Sequence, residues 1–299
     1  MEEHGLTIGE ALMWAFEELS KALIPFARDE SEFLLMHVLD CRRHELFLNA
    51  RRLLTPQEAL LLKEAAARRL EREPLQYIFG EAEFRGRAFK VTRDVLIPRP
   101  ETELLVGEAI KEAPSFGDGT LTVIDLCTGS GCIAISAALE MNCEVFATDI
   151  SEKALEIAKE NAQRLGASHK VTFHKGDLFG AIPEKIKGRA HMVLTNPPYI
   201  TEKDMDGLAP EVKDFEPRQA LYGGSDGLDI IRRIISGATA YLAPGGLLLM
   251  EIGYDQSEAV TKLAEAYVGY SHIEIVKDYA GIGRILKARS KQQARFQGS

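Results

Sequence analysis

The sequence predicts an α/β protein in which a small helical bundle and a β-hairpin linker precede a mostly parallel sheet. Three observations lead to this fold class. Apolar residues recur at helical spacing over 1–72, residues 75–97 change to strand-like spacing, and from Leu121 short apolar strands alternate with helices. Such alternation is typical of a sheet covered by helices on both faces. A length of 299 residues allows two domains.

The first part of the chain, residues 1–74, is predicted to be a helical substrate-recognition domain. Thr7 and Glu10 have the spacing of a capping box, in which each side chain bonds the other residue's backbone N–H. Thr55, followed by a proline and then by Glu58, marks a second helix start. The apolar spacing predicts four helices, at about 8–23, 30–39, 45–50 and 55–72.

Residues 75–100 are predicted to form the β-hairpin linker. Aromatic and β-branched residues are grouped there around two glycines: Tyr77, Ile78, Phe79, Gly80, Phe84, Gly86, Phe89, Val91, Val95 and Ile97. Groups of this composition are typical of short strands joined by turns. A helix is expected to follow Pro100.

Residues 101–289 are predicted to form the sheet domain. Strands are expected at 122–126, 144–148, 171–174, 192–195, 246–252, 272–278 and 284–288, and helices at 132–141, 152–165, 228–241 and 257–267. The two consecutive strands at the end predict an antiparallel edge. The polar tail, 290–299, is predicted to be disordered.

The overall charge disfavours proteins that bind mainly by neutralising phosphates. The chain has 36 Lys and Arg against 45 Asp and Glu, a net charge of −9. Residues 84–99, here named the basic stretch, are the local exception. They contain Arg85, Arg87, Lys90, Arg93 and Arg99 against Asp94. The basic stretch is therefore expected to bind an acidic surface of a partner.

Cysteine usage and the start of the chain predict a cytoplasmic protein. Cys41, Cys127, Cys132 and Cys143 form no Cys-x-x-Cys pair, which favours reduced thiols over zinc or redox sites. The first residues lack the pattern of a signal or transit peptide, and no apolar run approaches the length of a membrane span. The histidines do not cluster, so no metal is expected.

A glycine loop between the first strand of the sheet and its helix is the predicted cofactor site. Glycines let the backbone approach a ligand closely, and ligands of open α/β sheets bind at the carboxyl ends of the strands. The loop residues expected to contact the cofactor are Asp125, Cys127, Thr128, Gly129, Ser130 and Gly131. Asp149 ends the second strand and is expected to accept the ribose hydroxyls. Asp177, followed by Leu178, is expected to receive an adenine amino group.

The loop also indicates the kind of nucleotide cofactor. Gly129-x-Gly131 lacks the third glycine of the dinucleotide pattern. A carboxylate at Asp125 suits a cationic cofactor such as S-adenosylmethionine, which carries an ammonium and a sulfonium. Three readings stay open at this point: a loop-capping role for Asp125, a plain tight turn at the glycines, and the similar loops of nicotinamide and flavin enzymes.

Asn196-Pro197-Pro198-Tyr199 ends the fourth strand and is the most informative tetrapeptide. Its prolines stiffen the loop and remove N–H donors. The Asn196 side-chain oxygen and the Pro197 carbonyl can both accept from one planar NH₂ group, on which Tyr199 can stack. An amide nitrogen is a poor nucleophile because its lone pair is delocalised, and fixing both N–H directions can aim that lone pair. The tetrapeptide therefore predicts methylation of an amide or exocyclic amine, with a chemically silent rigid turn as its alternative.

With these motifs, the sequence resembles the release factor glutamine methyltransferases, which use S-adenosylmethionine. The resemblance runs from the helical segment to about residue 288. Its most specific parts are Leu-Ile-Pro-Arg-Pro-Glu-Thr-Glu at 96–103 and Phe-Glu-Pro at 215–217, followed by Gly224-x-Asp226-Gly227. The Asn-Pro-Pro-Tyr loop alone is shared with DNA and ribosomal RNA N-methyltransferases.

The resemblance implies a Rossmann-like, seven-stranded methyltransferase sheet and a substrate, the glutamine of a Gly-Gly-Gln motif in class 1 peptide chain release factors. It implies that Asn196, Pro197 and Tyr199 are catalytic. Together with Pro198, they would bind substrate, and Asn196 would also contact the cofactor. For Arg99, Glu101 and Thr102, between the two domains, two roles stay open: a wall of the substrate channel, where Arg99 and Glu101 would bind substrate, or a linker turn with a helix cap. Two positions depart from the family: Cys127 replaces a frequent glycine, and Leu178 replaces an aromatic residue of some members.

Two other functions remain open at this stage. A nucleic-acid methyltransferase acting on adenine N6 or guanine N2 would need the same acceptors and aromatic stack, and the basic stretch favours it. A non-catalytic module that binds the cofactor is the second, and the intact tetrapeptide argues against it. A monomer without direct nucleic-acid contact is expected.

Overall fold

The computed structural model describes residues 5–291 and divides into two compact units. The helical unit runs to Gly80 and takes in Ala209–Phe215, and the sheet unit comprises Glu81–Leu208 and the chain from Glu216. The helices are Ile8–Lys21 (α1), Ala27–Leu39 (α2), Arg43–Leu48 (α3), Pro56–Leu70 (α4), Leu75–Phe79 (α5), Pro100–Glu112 (α6), Cys132–Glu140 (α7), Glu152–Arg164 (α8), Glu202–Met205 (α9), Pro210–Lys213 (α10), Arg218–Leu221 (α11), Asp229–Tyr241 (α12) and Ser257–Ala266 (α13).

The helical unit is held by an apolar core and by the two predicted capping boxes. Thr7 Oγ1 accepts from the Glu10 N–H at 3.2 Å, and the Glu10 carboxylate accepts from the Thr7 N–H at 2.8 Å. Thr55 and Glu58 repeat this pair of bonds at the start of α4. The core between the helices includes the fully buried leucines Leu19, Leu34, Leu35, Leu46 and Leu62. Both predicted helix starts are confirmed.

The prediction of a hairpin over 75–100 is wrong for its first residues. Leu75–Phe79 forms the short helix α5, with Pro74 before it and Gly80, at φ +77°, closing it. The Arg68 guanidinium donates to the Tyr77 and Ile78 carbonyls and so occupies acceptors at the end of this helix. A proline start and a left-handed glycine stop therefore override the strand preference of the aromatic residues.

The hairpin itself is confined to residues 81–90. Its strands, Glu81–Phe84 (β1) and Arg87–Lys90 (β2), pair antiparallel. Both turn residues between them, Arg85 and Gly86, have positive φ, of 50° and 69°. Positive φ at both central residues is the geometry whose twist suits a two-residue hairpin.

Residues 209–215 return to the helical unit, which the sequence did not predict. Glu211 accepts from Arg69 at 2.9 Å and from Arg72 at 2.9 Å. Arg69, whose side chain is only 4% exposed, also bonds Glu30. These ion pairs attach a segment of distant sequence to α4.

Seven strands form the sheet of the second unit, as the family resemblance implied. They are Leu121–Leu126 (β3), Cys143–Asp149 (β4), Val171–Lys175 (β5), Ala190–Thr195 (β6), Leu242–Glu251 (β7), Tyr270–Lys277 (β8) and Gly283–Ser290 (β9), in the spatial order β5-β4-β3-β6-β7-β9-β8. The first five pair in parallel. Strand β9 pairs antiparallel with β7 and β8, so the predicted antiparallel edge is confirmed.

Helices cover both faces of this sheet because its central strands are apolar on both sides. In β3, Val123 belongs to the core beneath α6 and α7, whereas Ile124 belongs to the core beneath α12 and α13. From β3 the chain proceeds outward through β4 and β5 and then returns to β6 on the other side. The gap between the carboxyl ends of β3 and β6 is thus a topological switch point, where open α/β sheets bind ligands.

The basic stretch does not present the free positive charge that was expected of it. Arg85 and Arg87 both bond Glu140, and Lys90 bonds Glu160. Arg99 is paired with Glu216. The basic residues bond carboxylates of the sheet unit, so much of the charge is neutralised within the fold.

Three smaller findings concern the rest of the predictions. Ser290 ends β9 and its hydroxyl donates to the Ala243 carbonyl at 2.6 Å, so the predicted tail does not begin there, and residues 292–299 lie outside the described residues. The four cysteines are free thiols. Among residues 5–291, no helix has both the length and the apolar character to cross a bilayer.

Candidate active site

A cavity of about 510 Å³ opens at the switch point of the sheet unit. The loops after β3, β4, β5 and β6 contribute to its wall, and so does the segment 217–222. Of the predicted cofactor-binding residues, six line this cavity: Cys127, Gly129, Asp149, Asp177, Leu178 and Asn196. Four others, Asp125, Thr128, Ser130 and Gly131, lie behind the wall.

The glycine loop after β3 takes the left-handed conformation three times. Cys127, Gly129 and Gly131 have φ of 57°, 54° and 82°. A Cβ added to Gly129 would meet no atom within 4 Å, so this backbone lies open toward the cavity. A Cβ on Gly131 would come within 2.9 Å of the Ile135 side chain, so this glycine lets the loop pack onto the following helix.

Asp125 lies beneath the loop rather than on the cavity wall. It is fully buried, and the Thr128 hydroxyl donates to its carboxylate at 2.6 Å. Burial raises the pKa of Asp125 to about 7, against the Thr128 bond, which lowers it. The contacts match the loop-capping alternative, in which this acid shapes the loop. Ser130 has a comparable position, since its carbonyl accepts from the Asn161 side chain at 2.9 Å.

Asp149, at the end of β4, faces the cavity with acceptor capacity left. One carboxylate oxygen accepts from the Gly129 N–H and the other from the Ser151 N–H, each at 2.9 Å. These bonds fix the carboxylate across the glycine loop and leave each oxygen a further lone pair. Burial raises the pKa of Asp149 from its usual value, although the backbone N–H groups oppose this effect.

Asp177 and Leu178 form the wall after β5. The Asp177 carboxylate pairs with Arg233 of α12 at 2.5 Å, at the exposed end of the cavity. Leu178 is buried and has a φ of 48°. Ile150, which the sequence did not single out, is 52% exposed and also lines this part of the cavity. This part of the cavity wall is therefore aliphatic.

The Asn196 side chain is joined to two buried residues from other elements. Its Nδ2 donates to Thr102 Oγ1 at 3.1 Å, and the Thr102 hydroxyl donates to Glu251 Oε2 at 2.7 Å. Thr102 lies in the first turn of α6, and Glu251 is the last residue of β7. Each is only 2% exposed. Together, they hold the Asn196 amide at the cavity wall.

Burial raises the pKa of Glu251 to about 7. The Thr102 hydroxyl, which donates to this carboxylate, lowers the pKa, as do Tyr199 and Arg284, whereas the nearby Glu101 raises it further. Burial also raises the pKa of the Tyr199 hydroxyl, which stays protonated and can donate.

Of the residues predicted to bind substrate after Asn196, Pro197 and Tyr199 do not line the cavity. Pro197 is buried, whereas Pro198 lines the cavity. The Tyr199 carbonyl accepts from Gln256 Nε2 at 3.1 Å, and the same amide group donates to the Gly227 carbonyl at 3.2 Å. Gln256 therefore fastens the loop after β6 to the glycine segment before α12.

Comparison with known proteins agrees with this site over nearly the whole chain. Two family models match: the PrmC N-terminal domain over residues 10–80 and a methyltransferase domain over residues 118–267. The release factor glutamine methyltransferase of Bacillus cereus is 41% identical over 287 residues, 95% of this chain and 99% of the relative. That of Geobacter sulfurreducens is 40% identical over 284 residues, 95% of this chain and 96% of the relative.

The chain belongs to the release factor glutamine methyltransferase family. It is accordingly a methyltransferase. A solved structure, a methyltransferase from Pyrococcus furiosus, matches with a TM-score of 0.52 and 18% identity over 80% of this chain and all of that one. At that identity the match shows the fold alone, and the fold is the predicted Rossmann-like methyltransferase sheet.

Arg99 and Glu101, from the family's linker, do not line the cavity of this family member. Arg99 donates to Glu216 at 2.5 Å, and Glu216 is buried. This pair joins the linker to the Phe-Glu-Pro block, the two segments that carry the most specific resemblance. Glu101 lies 3.9 Å from Arg284. Their predicted contact with substrate stays a proposal.

Glu251 and Gln256 are the site residues that sequence reasoning did not assign, and Thr102 was considered only as a helix cap or as part of a substrate-channel wall. Thr102 belongs to the linker motif at 96–103, and its position in the first turn of α6 gave no sign of its bonds to Asn196 and Glu251. Glu251 ends an apolar strand at the carboxyl edge of the sheet, and this position is the one signal that could have found it.

Proposed function

We propose that this enzyme transfers a methyl group from S-adenosylmethionine to the amide nitrogen N5 of the glutamine in the Gly-Gly-Gln motif of class 1 release factors, and thereby modulates translation termination. The observation that carries the proposal is the likeness to the Bacillus cereus release factor glutamine methyltransferase over 95% of the chain, which includes both units. Because release factors act on cytoplasmic ribosomes, we expect the reaction in the cytoplasm.

The residues of the cavity suit the proposed cofactor. Asp149 has lone pairs for two ribose hydroxyls, and the open backbone at Gly129 admits a ligand close to the loop. The Asp177 carboxylate would accept a hydrogen bond from the amino group of the adenine, and Leu178 and Ile150 would contact the adenine ring. When bound, S-adenosylmethionine supplies an electrophilic methyl group on a sulfonium.

The Asn196 loop supports the substrate half of the proposal. The Asn196 Oδ1 and the Pro197 carbonyl would each accept one N–H of the glutamine amide, and Tyr199 would line its slot. These bonds fix the nitrogen lone pair toward the methyl carbon, and positioning of this kind is worth a large part of a barrier. Formation of the C–N bond would break the bond between the methyl carbon and the cofactor sulfur, and the electron pair would stay on that sulfur. The nitrogen would release one proton to water, and either Asn196 Oδ1 or the Pro197 carbonyl would accept the N–H that remains.

A methyl-transfer assay with mass spectrometry tests the proposal. Wild-type enzyme, release factor and cofactor are expected to give one added methyl group on the Gly-Gly-Gln glutamine. Asn196→Ala is expected to keep cofactor affinity within about threefold, because most of the cavity wall is unchanged, and to abolish transfer.

The matched control is Asn142→Ala, which replaces an asparagine outside the cavity and should leave the rate unchanged. Methylation of naked RNA or DNA by the wild type, with none on the release factor, would contradict the proposal and favour the nucleic-acid alternative. A near-normal rate for Asn196→Ala would contradict the assignment of that residue.

A further inference from the structure

The hydrogen bonds around Thr102 determine which end of the Asn196 amide faces the cavity. A threonine hydroxyl has one proton, and Thr102 gives it to Glu251 at 2.7 Å. Only lone pairs remain for Asn196, so the group that meets Thr102 has to be the NH₂ end, as the 3.1 Å contact has it. The amide oxygen is therefore directed away from Thr102.

We propose that Glu251 and Thr102 are positioning residues that keep the Asn196 amide oxygen turned toward the substrate. The inference rests on the proposed function, in which that oxygen accepts a hydrogen bond from the glutamine amide. Neither residue lines the cavity, and each is 2% exposed, so both act through Asn196. A buried carboxylate is costly unless it is hydrogen-bonded, and here it accepts the proton of the Thr102 hydroxyl.

Protonation of Glu251 would reverse the chain of bonds. A neutral carboxyl group can donate its proton to Thr102, and Thr102 can then donate to the Asn196 oxygen. The Asn196 amide would turn by half a rotation and present its NH₂ group to the NH₂ group of the substrate. Two donors cannot bond each other, so the enzyme in this state would bind cofactor but would not orient the glutamine.

The groups that face Glu251 place this change near neutral pH. Burial raises the pKa of Glu251 to about 7, and Glu101 adds to this effect. Arg284 lowers the pKa, as do the Thr102 and Tyr199 hydroxyls, and the Cys132 thiol also interacts with this carboxylate. Arg284 is itself bonded to Asp278 at 2.9 Å, which reduces its effect on Glu251. We therefore expect kcat to rise with pH through about 7 while cofactor affinity changes little.

Four variants test the positioning role through kcat, KM and pH dependence. Thr102→Val keeps the shape but removes the hydroxyl, and should lower kcat about 10-fold to 100-fold. Thr102→Ser keeps the hydroxyl and should restore kcat to within about threefold of the wild type.

Glu251→Gln should lower kcat about 10-fold, because the Gln amide can either accept from Thr102 or donate to it and so no longer fixes the direction of the bonds. The variant should also abolish the acid limb of the pH profile, because a Gln side chain does not titrate. The matched control is Glu108→Gln, which replaces another buried carboxylate. Glu108 lies in the same helix as Thr102 and is paired with Lys287, and its replacement should change neither kcat, KM nor the pH profile.

Calorimetric titration of the cofactor and thermal unfolding show whether the variants are folded. The raised pKa of Glu251 means that its ionisation opposes folding above its usual pKa of about 4.5, so Glu251→Gln should melt at a higher temperature than the wild type at pH 8. A variant that is more stable and yet slower separates positioning from a structural role. If Glu251→Gln does not fold, the Thr102→Val and Thr102→Ser pair carries the test.

The outcomes distinguish this inference from the proposed function. If Thr102→Val and Glu251→Gln keep kcat within twofold while Asn196→Ala is inactive, the positioning role is wrong and the proposed function stands. If Glu251→Gln keeps the acid limb, another group such as Asp125 titrates and the inference fails. If the wild type does not methylate a release factor, the proposed function itself fails.

Discussion

Two non-glycine residues of the cavity wall have left-handed backbone. Cys127 and Leu178 both have positive φ, of 57° and 48°, and both are positions where the sequence departs from its family. An L-residue in this conformation costs roughly 1–2 kcal/mol, so the loop after β3 is strained. Burial raises the pKa of the Cys127 thiol well above its usual value, which makes it a neutral, packed group and no nucleophile.

The strain at Cys127 predicts an unusual order of stability between two variants. Cys127→Gly should unfold at a higher urea concentration than Cys127→Ala, with a difference of about 1 kcal/mol in the free energy of unfolding, because only alanine has a Cβ to clash. The control pair is Cys143→Gly and Cys143→Ala in β4, where φ is negative and alanine should be the more stable. Equal stability of the two Cys127 variants would contradict the strain.

At the residue scale, the sequence was enough to predict the site residues that lie at the carboxyl ends of strands. Asp149 ends β4 and Asn196 directly follows β6, and both line the cavity at the predicted edge of the sheet. The contact between Thr102 and Glu251 was not predicted because it joins residues 149 positions apart in the sequence. Likewise, the pairing of Arg99 with Glu216 spans 117 residues, and a list of charges cannot reveal it.

At the scale of elements, α12 and the short 3₁₀ helix Leu178–Ala181 together support one wall of the cavity. The Phe179 ring stacks on Tyr241 at a centroid distance of 4.8 Å, and the Tyr241 hydroxyl donates to the Phe179 carbonyl at 2.9 Å. Gly237 lies so close to this ring that an added Cβ would come within 2.7 Å of it. The glycine therefore sets the distance between the helix and the wall.

This contact predicts that Gly237→Ala weakens both stability and cofactor binding. The added methyl group has to displace Phe179, at a cost of about 1–3 kcal/mol in the free energy of unfolding. Because Leu178 precedes Phe179 and lines the cavity, the cofactor dissociation constant should rise severalfold in a calorimetric titration. Gly180→Ala, in the same 3₁₀ helix but with no atom within 4 Å, should change neither. Unaltered binding by Gly237→Ala would show that the wall does not depend on this contact.

The strands and helices of the sheet unit follow the predicted order because local pattern and tertiary packing agree there. Strand β3 was expected at 122–126 and lies at Leu121–Leu126, and α8 was expected at 152–165 and lies at Glu152–Arg164. The linker failed at α5 because its aromatic residues favour strands, while Pro74 and Gly80 delimit a helix too short for periodicity to detect. The residues that begin and end α5, rather than the strand propensity of its aromatic residues, therefore determine its conformation.

At the scale of the whole molecule, the net charge of −9 includes many acidic residues that form ion pairs within the fold. Several of them bond the arginines and lysines that the sequence presented as a free basic surface, as Glu140 and Glu160 do. Glu211 acts similarly within the helical unit, where it bonds Arg69 and Arg72. The chain therefore uses its acidic excess in part to fasten distant segments.

The returning segment predicts that Glu211 stabilises the helical unit. Glu211→Ala removes a partner of Arg69, a nearly buried cation, and should lower the free energy of unfolding of this unit by about 1–3 kcal/mol, less than for a fully buried pair because Arg69 keeps Glu30. Trp14 is the only tryptophan of the chain and packs against the helical core, so its fluorescence reports this unfolding in urea. Glu64→Ala, on the exposed face of α4, is the control and should leave the midpoint unchanged.

The pH dependence of the same measurement checks that the ion pairs cause the effect. Burial opposes ionisation of Glu211, but hydrogen bonds from its own backbone N–H and from Arg69 prevail, and its pKa lies below the usual value of 4.5. A carboxylate with a lowered pKa stabilises the fold above that usual pKa and loses its contribution as the pH falls through the lower value. The difference between wild type and Glu211→Ala should therefore be full at pH 7 and shrink below about pH 4.5. A difference that persists unchanged at pH 3 would assign the effect to packing of the side chain instead of its charge.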